Sequence, residues 1–180
     1  MKRESGRIRP IRREDIQGMH VWELDEEIAM ASGITKPRSL EVFQTMYEKY
    51  FFNVNQSLQL YSIVLDGRVI GRAELGLIDR ENGQAAFGIV IGERSSWGKG
   101  YGKEAILELL DVAFNALHLH KVYCEVYTFN ERSLNMMHSL GFHQDGILRE
   151  HEFFHEAYHD LAVFSMLEAE FRTAFEKNSK

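Results

Sequence analysis

Three glycines, Gly98, Gly100 and Gly102, alternate within Trp97-Gly98-Lys99-Gly100-Tyr101-Gly102-Lys103, between a strand pattern and a long helical one. Glycine lets the backbone come close to a ligand and leaves its N–H groups uncovered. The helix that follows contributes its own unsatisfied N–H groups and the positive end of its dipole. Lys99 and Lys103 add charge, and Arg94 stands near enough in sequence to join them. The chemistry this segment suits is phosphate binding. Two nucleotide motifs do not fit it. The dinucleotide fingerprint G-x-G-x-x-G needs its third glycine one residue later, and the P-loop needs Ser or Thr where Glu104 follows Lys103. The plain alternative is a glycine-rich turn that starts a helix and binds nothing.

Periodicity defines the elements that must position this segment. Arg7 to Arg12 alternates charged and apolar residues as a short strand does. Asp15 is placed to cap a helix running to about Met30. Leu40 to Phe52 repeats apolar residues at helical spacing through Val42, Met46, Tyr47 and Tyr50. Leu58 to Leu65, Asp66-Gly67 and Arg68 to Ile78 predict a hairpin. Asn82-Gly83 turns the chain again into Gln84 to Ile91, so the three strands form an antiparallel meander. A helix is expected over Tyr101 to Leu117, with Ile106, Leu109, Leu110, Ala113 and Leu117 on one face. Val122 to Thr128 alternates as a strand, and Glu131 to Leu140 is a short helix closed by Gly141. Ile147 to Leu167 predicts two strands joined near His155-Glu156-Ala157, followed by a terminal helix. The fold class is α+β.

The 180 residues fit a single domain spanning 1–180 and are enough to bury a sizeable core. No stretch approaches the roughly 20 apolar residues of a membrane helix, and the charged start Met1-Lys2-Arg3-Glu4 does not resemble a signal peptide. One cysteine, Cys124, excludes an intrachain disulfide and suits a reducing cytoplasm. A net charge of -6 argues against a general nucleic-acid binder. Asn130, between a strand and a helix, is a natural N-cap. His151, His155 and His159 alternate along a strand pattern without metal-ligand spacing, so no zinc site is expected.

Val90-Ile91 through Lys103-Glu104-Ala105 resembles the acetyl-CoA motif of GNAT N-acetyltransferases, written Q/R-x-x-G-x-G/A, with Trp97 in its first position. That substitution resembles the branch holding ribosomal-protein α-amino acetyltransferases and spermidine acetyltransferases. The resemblance extends over most of the chain. It takes in Arg7-Ile8-Arg9-Pro10-Ile11, Asp15, Trp22, the meander, Asn130-Glu131-Arg132-Ser133, Leu140-Gly141-Phe142 and Tyr158-His159-Asp160. It implies a GNAT fold: a mixed, mostly antiparallel sheet of six to seven strands flanked by helices. It implies acetyl transfer from acetyl-CoA to a primary amine by direct attack in a ternary complex, without a metal. The acceptor would be a protein α-amine, a polyamine or an amino sugar. It also implies homodimers, for which the sequence itself carries no signal.

Amide formation needs a neutral amine, yet alkyl amines titrate near about 10 and α-amines near about 8, so a proton must be removed. The oxyanion needs donors and the departing thiolate needs a proton. The resemblance implies that Ile89, Val90 and Ile91 meet the thioester and pantetheine arm through their backbone, while their side chains enter the core. The pyrophosphate would lie on Trp97, Gly98, Lys99, Gly100, Tyr101, Gly102 and Lys103, with Asn130 and Ser133 beside the cofactor. The family's usual acid is a tyrosine that is replaced here by Met137. The α-amino branch implies Ser133 as acid and Glu152 as base, and the spermidine enzymes imply Glu74 as a second base. Glu23, Asp25, Glu26 and Glu27, with Trp22, form an acidic stretch that would suit a cationic acceptor or would simply be solvated. The loss of the tyrosine motivates the rival reading of a non-catalytic acyl-CoA-binding module.

Overall fold

The computed structural model of the chain describes residues 7–50, 52 and 56–176. Strands β1 (Arg7–Pro10), β2 (Gln59–Leu65), β3 (Arg68–Asp79), β4 (Gln84–Ile91), β5 (Lys121–Tyr127), β6 (His143–Phe154) and β7 (Ala157–Leu167) hydrogen-bond in the order β1-β2-β3-β4-β5-β7-β6. β4 and β5 run parallel, whereas β1/β2, β2/β3, β5/β7 and β6/β7 are antiparallel. The sheet is therefore mixed and mostly antiparallel, as expected. Two compact units emerge. One holds the chain up to Gly76 together with Gly88–Leu109, and the other holds Leu77–Phe87 together with the chain from Leu110.

In the first unit, Asp66 and Gly67 both take positive φ, 50° and 76°. This is the backbone that matches a two-residue hairpin to the twist of β2 and β3. Helices α1 (Ile16–Glu23), α2 (Glu26–Ala31) and α3 (Leu40–Tyr50) complete the unit with the N-terminal part of α4 (Tyr101–Asp111). Ile16 and Met19 of α1, Phe43 and Tyr47 of α3, and Leu60 of β2 form one buried cluster. The buried face of α3 thus runs through Phe43, Met46 and Tyr47, while Val42 is 54% exposed. The Tyr50 side chain lies outside the described set.

The single helix expected from Asp15 to Met30 is two helices. A tight turn at Arg13–Asp15 precedes α1, and the chain leaves helical geometry at Asp25, which caps α2 by accepting from the Glu27 and Ile28 N–H groups. Asp15 does not cap α1. Its buried carboxylate instead accepts two bonds from Arg9 at 2.7 and 2.8 Å, one from the Arg12 N–H at 2.9 Å and one from the Ser62 hydroxyl at 2.6 Å. Burial, the largest influence, raises the Asp15 pKa, but the bonds from Arg9, Ser62 and Arg12 outweigh it and leave the carboxyl below its ordinary value. One charge ties β1, the turn and β2 together, which offsets the cost of burying it.

In the second unit, α5 (Glu131–Ser139) and α6 (Glu168–Phe171) accompany β5, β6 and β7. The helix expected to reach Leu117 keeps α geometry only to Asp111 and then widens into a π-turn at Val112–Ala116 that buries Ala113 and Phe114. Gly141, at φ 80°, closes α5 in the left-handed conformation that favours glycine. β6 and β7 meet at His155 and Glu156, both at positive φ. A bulge interrupts their pairing between Leu148 and Glu152. Asp160 holds it by accepting the Glu150 N–H at 2.7 Å, and beyond it Glu152 faces His159. Bulges re-aim side chains in this way.

Candidate active site

Pairing of β4 with β5 is confined to Gln84–Ala86 and Lys121–Tyr123. Among the described strands, none takes the backbone groups of Gly88–Ile91 on that side, so this part of β4 presents an open hydrogen-bonding edge. Ile89, Val90 and Ile91 are half-buried rather than core, because side chains along an open edge lack neighbours on one flank. Just beyond, the Trp97 indole N–H donates to the Ile91 carbonyl at 2.7 Å and fastens the glycine segment to the strand's end.

Gly98 and Gly100 take φ of 69° and 88°, where a side chain would strain the backbone. A Cβ added at Gly98 would meet nothing within 4 Å, so the surface above it is open. At the start of α4 the Glu104 N–H donates to the Gly100 carbonyl at 3.0 Å, and the positive end of the helix dipole lies at this turn. Lys99 and Gly100 are exposed there, and Lys103 is half-buried. The segment has the shape and polarity of an anion cradle.

Arg94 does not add to that cradle. Its guanidinium bonds both Asp25 oxygens at 2.5 and 2.6 Å and Glu27 at 2.9 Å. The bond from Arg94 lowers the Asp25 pKa to about 2. Much of the acidic stretch is likewise committed elsewhere: Asp25 caps α2, and the buried Glu23 is paired with Arg38 through two guanidinium nitrogens, whereas Glu26 is exposed. A Cβ at Gly92 would fall 1.9 Å from the Trp22 ring, so Trp22 lies directly on the backbone that leaves β4.

Within the same unit a cavity of about 230 Å³ is lined by α1, α2, α3, β3, β4 and Leu58 just before β2. Glu74 and Val90 both border it. The Glu74 carboxylate lies over Gly88, where an added Cβ would come within 3.0 Å of its Oε1, and Arg72 Nη1 donates to its Oε2 at 2.9 Å. Tyr47 is buried at the wall, and burial is the main reason its pKa is raised. Arg72 was not singled out in the sequence, although it stands two residues from Glu74 and period two puts both on one face of β3. Arg38 carried no such signal, since it lies in the irregular chain before α3.

The other candidates lie in the second unit. The Asn130 side chain caps α5 by accepting the Ser133 N–H at 3.1 Å, and Ser133 is half-buried. Glu152 is exposed and accepts the Tyr127 hydroxyl. Burial, then the bond to Glu152, raises the Tyr127 pKa and keeps the phenol protonated. Tyr127 stacks on Phe129, and His159 packs edge-on against both, so His159 belongs to an aromatic cluster. Met137 is buried against Cys124, whose thiol burial pushes up to about 12.

Residues 7–143 match the model of the acetyltransferase (GNAT) domain. The chain belongs to the GNAT acetyltransferase family. It is an acetyl-CoA-dependent N-acetyltransferase, and nothing in the comparisons favours a non-catalytic binding module. The enzyme is 37% identical to the N-acetyltransferase p20 of Bacillus licheniformis over 57% of each chain. It is 32% identical to the spermidine N(1)-acetyltransferase of Escherichia coli over 83% of its own length and 78% of that protein's. The crystal structure of spermidine N-acetyltransferase from Vibrio cholerae in complex with CoA and spermine superposes with a TM-score of 0.83 at 24% identity, covering 92% of this chain and 96% of that one. At that identity the likeness establishes the fold.

Proposed function

We propose that the enzyme acetylates a small primary amine bound in the cavity of the first unit, with Glu74 as the base. The observation that carries this reading is that Glu74 and Val90 border one cavity, and Val90 lies on the open-edged part of β4. Bound acetyl-CoA supplies the activated thioester carbonyl. The open backbone of Ile89, Val90 and Ile91 offers donors for the carbonyl oxygen as negative charge develops on it, the role preorganised N–H groups fill best. The cradle from Trp97 through Gly98, Lys99, Gly100, Tyr101 and Gly102 to Lys103 fits a pyrophosphate, with both positive-φ glycines exposing backbone and two lysines in the segment.

Glu74 takes the proton that the acceptor ammonium must lose before its nitrogen can attack. Arg72 holds that carboxylate by one bond, which fixes its position and leaves Oε1 for the substrate. Ser133 is the candidate to give the departing thiolate a hydrogen bond, and Asn130 keeps its amide N–H₂ for the cofactor while its oxygen caps α5. Glu152 remains the rival base, less favoured because it already accepts from Tyr127 and is exposed. The single buried Cys124 suits a reducing, cytoplasmic setting. Thiol release from acetyl-CoA, followed with a panel of amines, tests the assignment: Glu74→Gln should lower kcat/KM by about 100-fold or more. Unchanged kcat/KM across pH would remove Glu74 from the mechanism.

A further inference from the structure

The cavity next to Glu74 is charge-balanced in an uneven way. Its lining includes two carboxylates, Glu23 and Glu74, and two guanidiniums, Arg38 and Arg72. Glu23 and Arg38 satisfy each other: Arg38 Nε and Nη2 both donate to Glu23, and the Arg38 backbone N–H also points at it. Arg72 is different. It gives one hydrogen bond, to Glu74, and among the described residues its other guanidinium donors bond no protein acceptor, although its side chain is only 27% exposed. A guanidinium presents five N–H donors in a planar fork suited to two carboxylate oxygens. The fork therefore borders the cavity with capacity to spare.

We infer that the acceptor is a primary amine carrying its own carboxylate close to the nitrogen, an apolar α-amino acid in chemical class, with that carboxylate on Arg72 and its ammonium on Glu74. This rests on the acetyl-transfer reading above and specifies its substrate. Arg72 and Glu74 lie side by side at 2.9 Å, and a zwitterion laid against them alternates charges around a ring of four. A polyamine would instead bring several ammonium groups to a lining in which each carboxylate already has a guanidinium partner. Size points the same way. About 230 Å³ is below the 300–1,000 Å³ usual for drug-sized ligands, and Met19, Ile28, Ile34 and Phe43 supply an apolar wall for a short side chain.

The test compares L-leucine, 3-methylbutylamine (leucine without its carboxylate) and spermidine as acceptors for the intact enzyme, with rates corrected to the concentration of neutral amine. A charge-assisted pair of hydrogen bonds predicts kcat/KM for leucine about 30-fold or more above that for 3-methylbutylamine. Arg72→Gln should reduce that ratio to within about threefold, because the preference depends on the fork. The ratio is the readout, so a general loss of activity in the variant does not confuse it, and the wild-type panel decides even if the variant does not fold. Spermidine as the best acceptor, or leucine no better than 3-methylbutylamine, overturns the inference and leaves acetyl transfer standing. Thiol release no faster than hydrolysis with all three and with a wider amine panel would sink the acetyl-transfer reading, and the inference with it.

Discussion

Each unit holds a glutamate beside a potential hydrogen-bond donor, and the two are not equivalent. Glu74 meets a guanidinium at the wall of a cavity. Glu152 meets a phenol, and its own side chain is exposed. A guanidinium steadies a carboxylate while leaving it one oxygen to work with. The Tyr127 hydroxyl occupies Glu152, which stands in an exposed position. Glutamate alone does not make a general base; an enclosed space that holds the acceptor against it does.

The widest separation between the two comes from paired substitutions. Glu74→Gln should cost about 10²-fold or more in kcat/KM, and Glu152→Gln no more than about threefold, measured by thiol release. The reverse ranking would transfer the base to Glu152. Next comes the position where the family's tyrosine is absent. Met137 is 2% exposed and packed against Cys124. Met137→Tyr should therefore destabilise the protein by about 1–3 kcal/mol through overpacking, read by urea unfolding, without raising kcat. A gain in kcat would mean that the second unit can supply the acid from that site.

A smaller effect is expected at Gly88. A methyl group there would press on the Glu74 carboxylate, 3.0 Å from Oε1 and 3.2 Å from Cγ, and Gly88→Ala should lower kcat/KM about tenfold by misplacing it. No change would show that the carboxylate's position over β4 is irrelevant. The smallest effect is a titration. Asp25 has its pKa lowered to about 2, first by the bond from Arg94. A depressed folded-state pKa means that the stability this pair contributes is complete above the ordinary aspartate range and is lost as pH falls from about 4 toward 2. The Asp25 carboxyl carbon signal should accordingly titrate well below that of an exposed aspartate, and Arg94→Gln should raise it toward the ordinary range.

Most of the frame was legible from local pattern. The Asp66-Gly67 and Asn82-Gly83 turns, β4 from Gln84 to Ile91 and the closure of α5 at Gly141 stand where spacing and glycine placed them. The N-terminal helices were less legible. Asp15 has the residue type of a helix cap, but the bonds from Arg9 and Ser62 compete for its carboxylate, and Ser62 is 47 residues away. Local propensity cannot register a partner at that distance. The same holds for Arg94, whose charge is committed to Asp25, 69 residues earlier.

The sequence by itself determined the family, the class of reaction and the glycine-rich turn before α4. Those depend on short segments whose backbone needs, positive φ at Gly98 and Gly100 followed by a helix start, are written in residue type. Tertiary structure decided which carboxylates remain available. Glu23, Asp25, Glu74 and Glu152 are alike in composition, and only the fold gives them an internal guanidinium, a helix N–H pair, a cavity wall and a tyrosine as neighbours. Electrostatic roles are set by what lies within a few ångströms, and folding brings those neighbours from segments far apart in the chain.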